Sequence, residues 1–148
     1  MLLRPYTRDD LTGVIRLCQA EGWPGFPEHP ERAHRALTAP GVTSFVAIES
    51  DALLGFAQLQ SDGEFQAHLS VIAVDPSARR KGVGRALIEA ALKAAGGERI
   101  DLITNSAPAF YAALPHFRMD GFRLYPFYSG PDVNRPGEVW ARGRKRRQ

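Results

Sequence analysis

The chain has 148 residues, 44% hydrophobic and 24% charged, enough for one domain with a buried core and ordinary for a soluble globular protein. No apolar run approaches a membrane-spanning length, the N-terminus lacks a signal-type apolar stretch, and a single cysteine rules out an internal disulfide; together these point to the reducing cytoplasm and to no membrane partner. The net charge of +3 is misleading, because Arg142, Arg144, Lys145, Arg146 and Arg147 carry five positive charges, and taking them away leaves about −2. A terminal run of like charges is usually a solvated, disordered end. Residues 1–140 are therefore expected to form a single domain, followed by a basic tail over 141–148. A body without a basic face disfavours nucleic acid as a partner.

Leu2 to Tyr6 reads as a short strand, and Pro5 places it at a sheet edge. Thr7 or Asp9 can cap the next helix, whose Leu11, Val14, Ile15 and Cys18 share one face. Cys18 is thus expected in the core rather than as a nucleophile. Glu21 to Pro30, with three prolines and two glycines, reads as a loop, in which Trp23 and Phe26 either line an acceptor pocket or pack on the core. A short helix over Glu31 to Leu37 is broken by Pro40-Gly41. Thr43–Ile48 and Leu53–Leu59 then form a hairpin closed by Glu49 to Ala52, and Ser61-Asp62-Gly63 makes the next turn.

Leu69 to Val74 is a β-branched apolar run with one polar residue, Ser70, and it ends at Asp75-Pro76. This is the pattern of a strand buried on both faces. The string Arg79-Arg80-Lys81-Gly82-Val83-Gly84 follows, then a helix with Val83, Leu87, Ala90, Ala91 and Ala94 on one face. Glu89 and Lys93 are spaced to pair, and Gly96-Gly97 ends the helix. Helix starts offer unpartnered N–H groups and a partial positive charge. Gly82 and Gly84 let an anion approach the backbone, while Arg79, Arg80, Lys81 and Arg85 add formal charge. A diphosphate fits such a loop. Arg99 to Thr104 should be a further strand, parallel to the previous one by a right-handed crossover. Ala107 to Leu114 reads as a short helix and Gly121 to Tyr128 as a last strand interrupted by Pro126.

Neither the P-loop string nor the dinucleotide fingerprint is present, since Leu87 stands where the third glycine of the latter would be. The loop does match Arg/Gln-x-x-Gly-x-Gly/Ala, as Arg79-x-x-Gly82-x-Gly84. Here the chain resembles the GNAT superfamily of acyl-CoA-dependent N-acetyltransferases, over about Leu2 to Tyr128. The resemblance implies an α/β (α+β-like) fold: a mixed, mostly antiparallel twisted sheet with a central parallel strand pair and helices on both faces. It implies that the loop from Arg79 through Val83 and Gly84 to Arg85 binds the pyrophosphate of acetyl-CoA. The preceding strand, at Ile72, Ala73 and Val74, would bind the pantetheine arm and thioester. Members often carry an Asn after the next strand and a Phe/Leu-Tyr pair on the following helix. These match Asn105 and Phe110-Tyr111, with Asn105 one residue nearer to the tyrosine than usual. Gly121-Phe122 follows Tyr111 ten residues on rather than within a turn. A homodimer is an expectation of the same resemblance.

The chemistry names the remaining parts. An amine must be neutral to attack a thioester, and a free alkylamine has a pKa near 10, so a base is needed. His68 is the leading candidate: it lies on the same strand six residues before Val74, where some histone-acetylating members carry a glutamate, and an unperturbed imidazole titrates near pH 6.5. Glu64 and Glu21 are weaker candidates. The developing oxyanion needs a fixed donor, which an unpaired N–H at a bulge in the strand Leu69–Val74 would supply. Tyr111 is the candidate acid for the departing thiolate. His29, His34 and His116 have no metal-ligand spacing, so no metal is expected. The leading reading is transfer of an acetyl group from acetyl-CoA to a primary amine of a small molecule or peptide. The alternatives are a non-catalytic acyl-CoA-binding module and a nucleic-acid-binding protein acting through its tail.

Overall fold

A computed structural model describes residues 1–127 of the chain. These fall into two compact units, Met1–Leu102 and one that begins at Ile103. The first unit contains a five-stranded sheet in the order β1-β2-β3-β4-β5, formed by β1 (Leu2–Pro5), β2 (Val42–Glu49), β3 (Ala52–Ser61), β4 (Gln66–Val74) and β5 (Arg99–Asp101). Neighbours pair antiparallel except β4 and β5, which are parallel. This is the mixed, mostly antiparallel sheet expected, with the parallel pair standing last in the order among the described residues. Ser50 and Asp51, both with positive φ, close the β2–β3 hairpin, as the right-handed twist of a two-residue connection requires.

Helices α1 (Leu11–Ala20), α2 (Gly25–Glu28) and α3 (Pro30–Leu37) cover one face of the sheet. Leu11, Val14, Leu17 and Cys18 from α1, with Ala33 and Leu37 from α3, form one buried cluster with Tyr6, Val46, Phe56 and Ala73. Burial pushes the Cys18 thiol up to about 11, Glu21 adding to it, which suits a core residue and not a nucleophile. α2 is a single turn inside the expected loop. It lays Phe26 against the core, its ring 6.5 Å from that of Phe56, while Trp23 stays 37% exposed. Helix α4 (Val83–Ala95) covers the opposite face through Leu87, which approaches Gly55 so closely that a Cβ there would stand 3.0 Å from Leu87 Cδ1. Gly96 ends α4 with φ +77°, and a side chain there would strike the Gly63 carbonyl at 2.9 Å.

The second unit holds one short helix, α5 (Pro108–Ala112). Residues 113–127 form neither helix nor strand, so the last strand expected from Gly121 is absent over 121–127; Tyr128 and the tail lie outside the described residues. Pro126 removes a ladder donor from that stretch, and Phe122, Leu124 and Phe127 are exposed. Apolar content alone had suggested the strand.

Candidate active site

The site is built around a fault in β4. Leu59 of β3 faces Leu69, but Gln58 faces Val71, so Ser70 is left over as a bulge. Its effect is one of parity. Gln58 turns toward α3, where its Nε2 donates to the Ala36 carbonyl at 3.0 Å, and Gln60 lies two residues on along the same face. His68 faces Gln60 and Val71 faces Gln58. His68 and Val71, an odd number of residues apart, therefore share the face covered by α1 to α3; a regular strand would put them on opposite sides. Ser70 Oγ is buried and has no hydrogen-bond partner.

Among the described residues, the other edge of β4 is unpaired immediately beyond. β5 pairs with Gln66, Ala67 and His68 and with no later residue of β4. The Asp75 N–H donates to the Leu54 carbonyl at 2.7 Å, continuing the pairing of Val74 with Gly55. Hydrogen-bonded and non-hydrogen-bonded pairs alternate along an antiparallel ladder. Val71 and Ala73 hence direct their backbone groups to β3, whereas Ile72 and Val74 direct theirs to the open edge. Two N–H groups aimed at an unpaired edge are what a thioester carbonyl and a pantetheine amide need.

The strand feeds a braced loop. Asp75 Oδ1 accepts from the Ser77 N–H and hydroxyl, and Oδ2 accepts from Arg16 Nη1 at 2.6 Å. The Ser77 and Arg16 contacts lower the Asp75 carboxyl to about 2. Arg79 turns back, donating through Nε to the Val74 carbonyl at 3.2 Å and through Nη2 to Glu21. It is a strut between strand and α1, with Glu21 as its carboxylate partner. Arg80 (φ +60°) and Gly82 (φ +79°) both adopt left-handed backbone, the form that converges successive N–H groups on an anion. The first helical bond of α4 runs from Ala86 N–H to the Gly82 carbonyl, leaving the N–H groups of Val83, Gly84 and Arg85 without intrahelical partners. α4 has no acidic residue in its first turn and no side-chain cap. Arg85 pairs with Glu89 at 2.7 Å, in place of the Glu89–Lys93 pairing expected from spacing.

His68 is exposed at the last rung of the β4–β5 ladder, facing Asp101. Sequence reasoning had no means of placing Asp101 opposite His68, because that pairing comes from register between residues 33 apart in the chain. Glu64 is exposed on the β3–β4 turn, its N–H bound by Asp62 Oδ1. In the second unit, Asn105 is exposed in the bend before α5. Tyr111 stacks edge-on against Phe110 with ring centroids 4.9 Å apart, and burial raises its phenol. The strand and loop candidates are thus brought together within the first unit, and Asn105 and Tyr111 belong to the second. Among the described residues no group of three or more His, Cys, Asp or Glu could hold a metal ion, and no helix is long and apolar enough to cross a membrane.

The open edge, the glycine loop and the bare helix start have counterparts among known proteins. The model of the acetyltransferase (GNAT) family matches residues 9–117. The chain belongs to that family. A mycothiol acetyltransferase of Rhodococcus opacus (strain B4) is 31% identical over 116 residues, 77% of this chain and 38% of the relative. One of Rhodococcus jostii (strain RHA1) is 28% identical over 115 residues, with the same coverage. The chain thus spans well under half the length of these curated relatives. Among solved structures, an aminoglycoside 6'-N-acetyltransferase of Acinetobacter haemolyticus matches with a TM-score of 0.70 at 16% identity, over 88% of this chain and all of that one. An aminoglycoside N-acetyltransferase in complex with CoA matches with a TM-score of 0.70 at 23% identity, over 84% of this chain and 92% of that one. At these identities the likeness is one of fold.

Proposed function

We propose that this GNAT-family enzyme transfers an acetyl group from acetyl-CoA to a primary amine of a small molecule or peptide, by direct attack and without a covalent enzyme intermediate. The observation that carries the reading is the continuity of the open β4 edge with an uncapped, left-handed, cation-flanked helix start. The N–H groups of Val83, Gly84 and Arg85 receive the pyrophosphate, with Arg80 and Lys81 supplying charge and Arg79 bracing the loop. Ile72 and Val74 offer backbone donors to the acyl and pantetheine carbonyls, Ala73 lies between them, and the family resemblance adds Asn105 as a cofactor-binding residue. The names of the mycothiol- and aminoglycoside-acetylating relatives favour a small-molecule acceptor. The proposal extends to one acetyltransferase domain through residue 140, acting in the cytoplasm.

The step conserves atoms and electrons. His68 takes the proton that frees the amine's lone pair, which attacks the thioester carbon. The oxygen's developing charge is met by the Ile72 N–H, the C–S bond breaks, and the sulfur leaves as thiolate. Tyr111 O–H protonates it, and the second proton, which the nitrogen sheds as the amide forms, passes through solvent to restore the Tyr111 phenol. An amine panel followed by free-thiol release and by mass spectrometry tests the reading: one amine should gain an acetyl group in step with thiol release. Acetyl-CoA binding with no acetylated product from any amine would leave a non-catalytic binding module instead. Tyr111→Phe should slow the chemical step by about 10²–10⁴-fold; a kcat within threefold of wild type, with chemistry limiting, removes Tyr111 as the acid.

A further inference from the structure

The proposed base has an unassigned carboxylate beside it. Gln60, His68 and Asp101 form one row across β3, β4 and β5. Arg99 donates to Gln66 Oε1 at 3.1 Å, which puts Arg99, and Asp101 two residues on, on the same face as Gln66 and His68. The three residues of the row line an open cleft of about 540 Å³. Facing residues on neighbouring strands stand about 5 Å apart at the backbone, within reach for an aspartate and a histidine side chain.

The other charges near His68 are spoken for. Arg99 is held by Gln66 and lies in the field of Asp62. Asp62 Oδ1 accepts the N–H groups of Glu64, Phe65 and Gln66 at 2.8, 2.8 and 3.2 Å. β3 presents the neutral Gln60, and Pro40, Gly41 and Val42 complete the cleft without charge. Asp101 is the carboxylate left for the imidazole, and it sits on the rung where β4 and β5 part.

We propose that Asp101 is a positioning residue: its carboxylate accepts one ring N–H of His68, turns the other ring nitrogen to the open edge of β4, and balances the imidazolium formed when His68 takes the amine proton. This rests on the reading of His68 as base. The proton moves from the acceptor ammonium to His68 and returns to solvent; Asp101 stays ionised throughout.

The test uses the full chain with Asp101→Asn, Asp101→Glu and His68→Gln. Asp101→Asn should lower kcat about 10–100-fold and move the acidic limb of the pH–rate profile to lower pH, since a cation loses its counter-charge. The affinity for acetyl-CoA by calorimetry should be unchanged, and Asp101→Glu should restore most of the limb. A readout free of turnover is the proton NMR titration of the His68 ring, assigned by its loss in His68→Gln: its midpoint should fall in Asp101→Asn. An unchanged midpoint, or a kcat within threefold of wild type, overturns the positioning role while leaving the base in place if His68→Gln still removes the limb. A limb that survives His68→Gln overturns the base and Asp101 together, and undiminished acetyl-CoA binding in that variant leaves the acetyltransferase reading standing.

Discussion

The starts of α1 and α4 are built in opposite ways. Before α1, Thr7 heads a turn in which Asp10 answers the chain's own donors. Its Oδ2 accepts the Thr7 N–H at 2.8 Å and the Thr7 hydroxyl at 3.2 Å, and its two oxygens take Arg4 Nη1 and Nη2 at 2.7 and 2.8 Å. Asp9 adds a further negative charge there. Before α4 there is no acid and no side-chain cap, only Gly82 in left-handed backbone among cations. The first helix start has the carboxylates of Asp9 and Asp10 at its positive end. The second has the same electrostatic demand with no acid to meet it, which is where the proposed pyrophosphate site lies.

The largest effect should come from making the second start resemble the first. A Cβ at Gly82 would meet no atom within 4 Å, so Gly82→Asp adds only backbone strain and a carboxylate at the phosphate position. Acetyl-CoA affinity should fall at least about 100-fold by calorimetry. Gly82→Asn carries equal strain without charge and should lose far less. Equal losses in the two variants would put the effect on conformation and not on the anion site.

The reverse operation removes the internal acid. Asp10→Ala should destabilise the fold by about 2 kcal/mol in urea, with acetyl-CoA affinity unchanged, because a cap and the partner of Arg4 go together. Acid should act in the same direction. Burial of Asp10 favours its neutral form, but the contacts from Arg4 and Thr7 outweigh that and lower its carboxyl; Asp75 is lowered to about 2. A carboxylate depressed in the folded state contributes stability in full above about pH 4 and loses it as pH falls through the folded value. Urea midpoints should therefore drop between about pH 4 and pH 2, and less so in Asp75→Asn.

The smallest effect concerns Ser70, whose hydroxyl is as unanswered as the α4 donors but serves no assigned step. Ser70→Ala should leave stability unchanged or raise it by up to about 1 kcal/mol, because a buried unpaired hydroxyl is removed. A clear loss of stability would mean that the hydroxyl is bonded in solution.

What could be read from the sequence follows the range of the forces involved. The loop between Asp75 and Gly84, the start and end of α4, the Ser50-Asp51 hairpin and the core role of Cys18 are local matters of turn chemistry and periodicity, and they stand in the structure as expected. β5 was expected to reach Thr104 and stops at Asp101, because ladder length depends on the partner strand. The turn α2 inside Glu21–Pro30 exists because Phe26 finds Phe56, a contact 30 residues away. Arg79 reads as one more phosphate ligand, and its bonds to the Val74 carbonyl and to Glu21 were not legible in the sequence. The position of Asp101 beside His68 is wholly a matter of register.

The bulge at Ser70 sets a residue of β4 outside the count that decides which side each neighbour takes. Deleting that one residue would leave His68 two positions from Val71 and on the same face by ordinary alternation, whereas drawing it into an unbroken ladder would turn His68 from the cleft toward α4 and take Leu69, now 5% exposed, out of its contacts. Two chains that agree at every other position of this strand but differ there by one residue would carry the same letters on the same sides of the sheet, one with a bulge and one without.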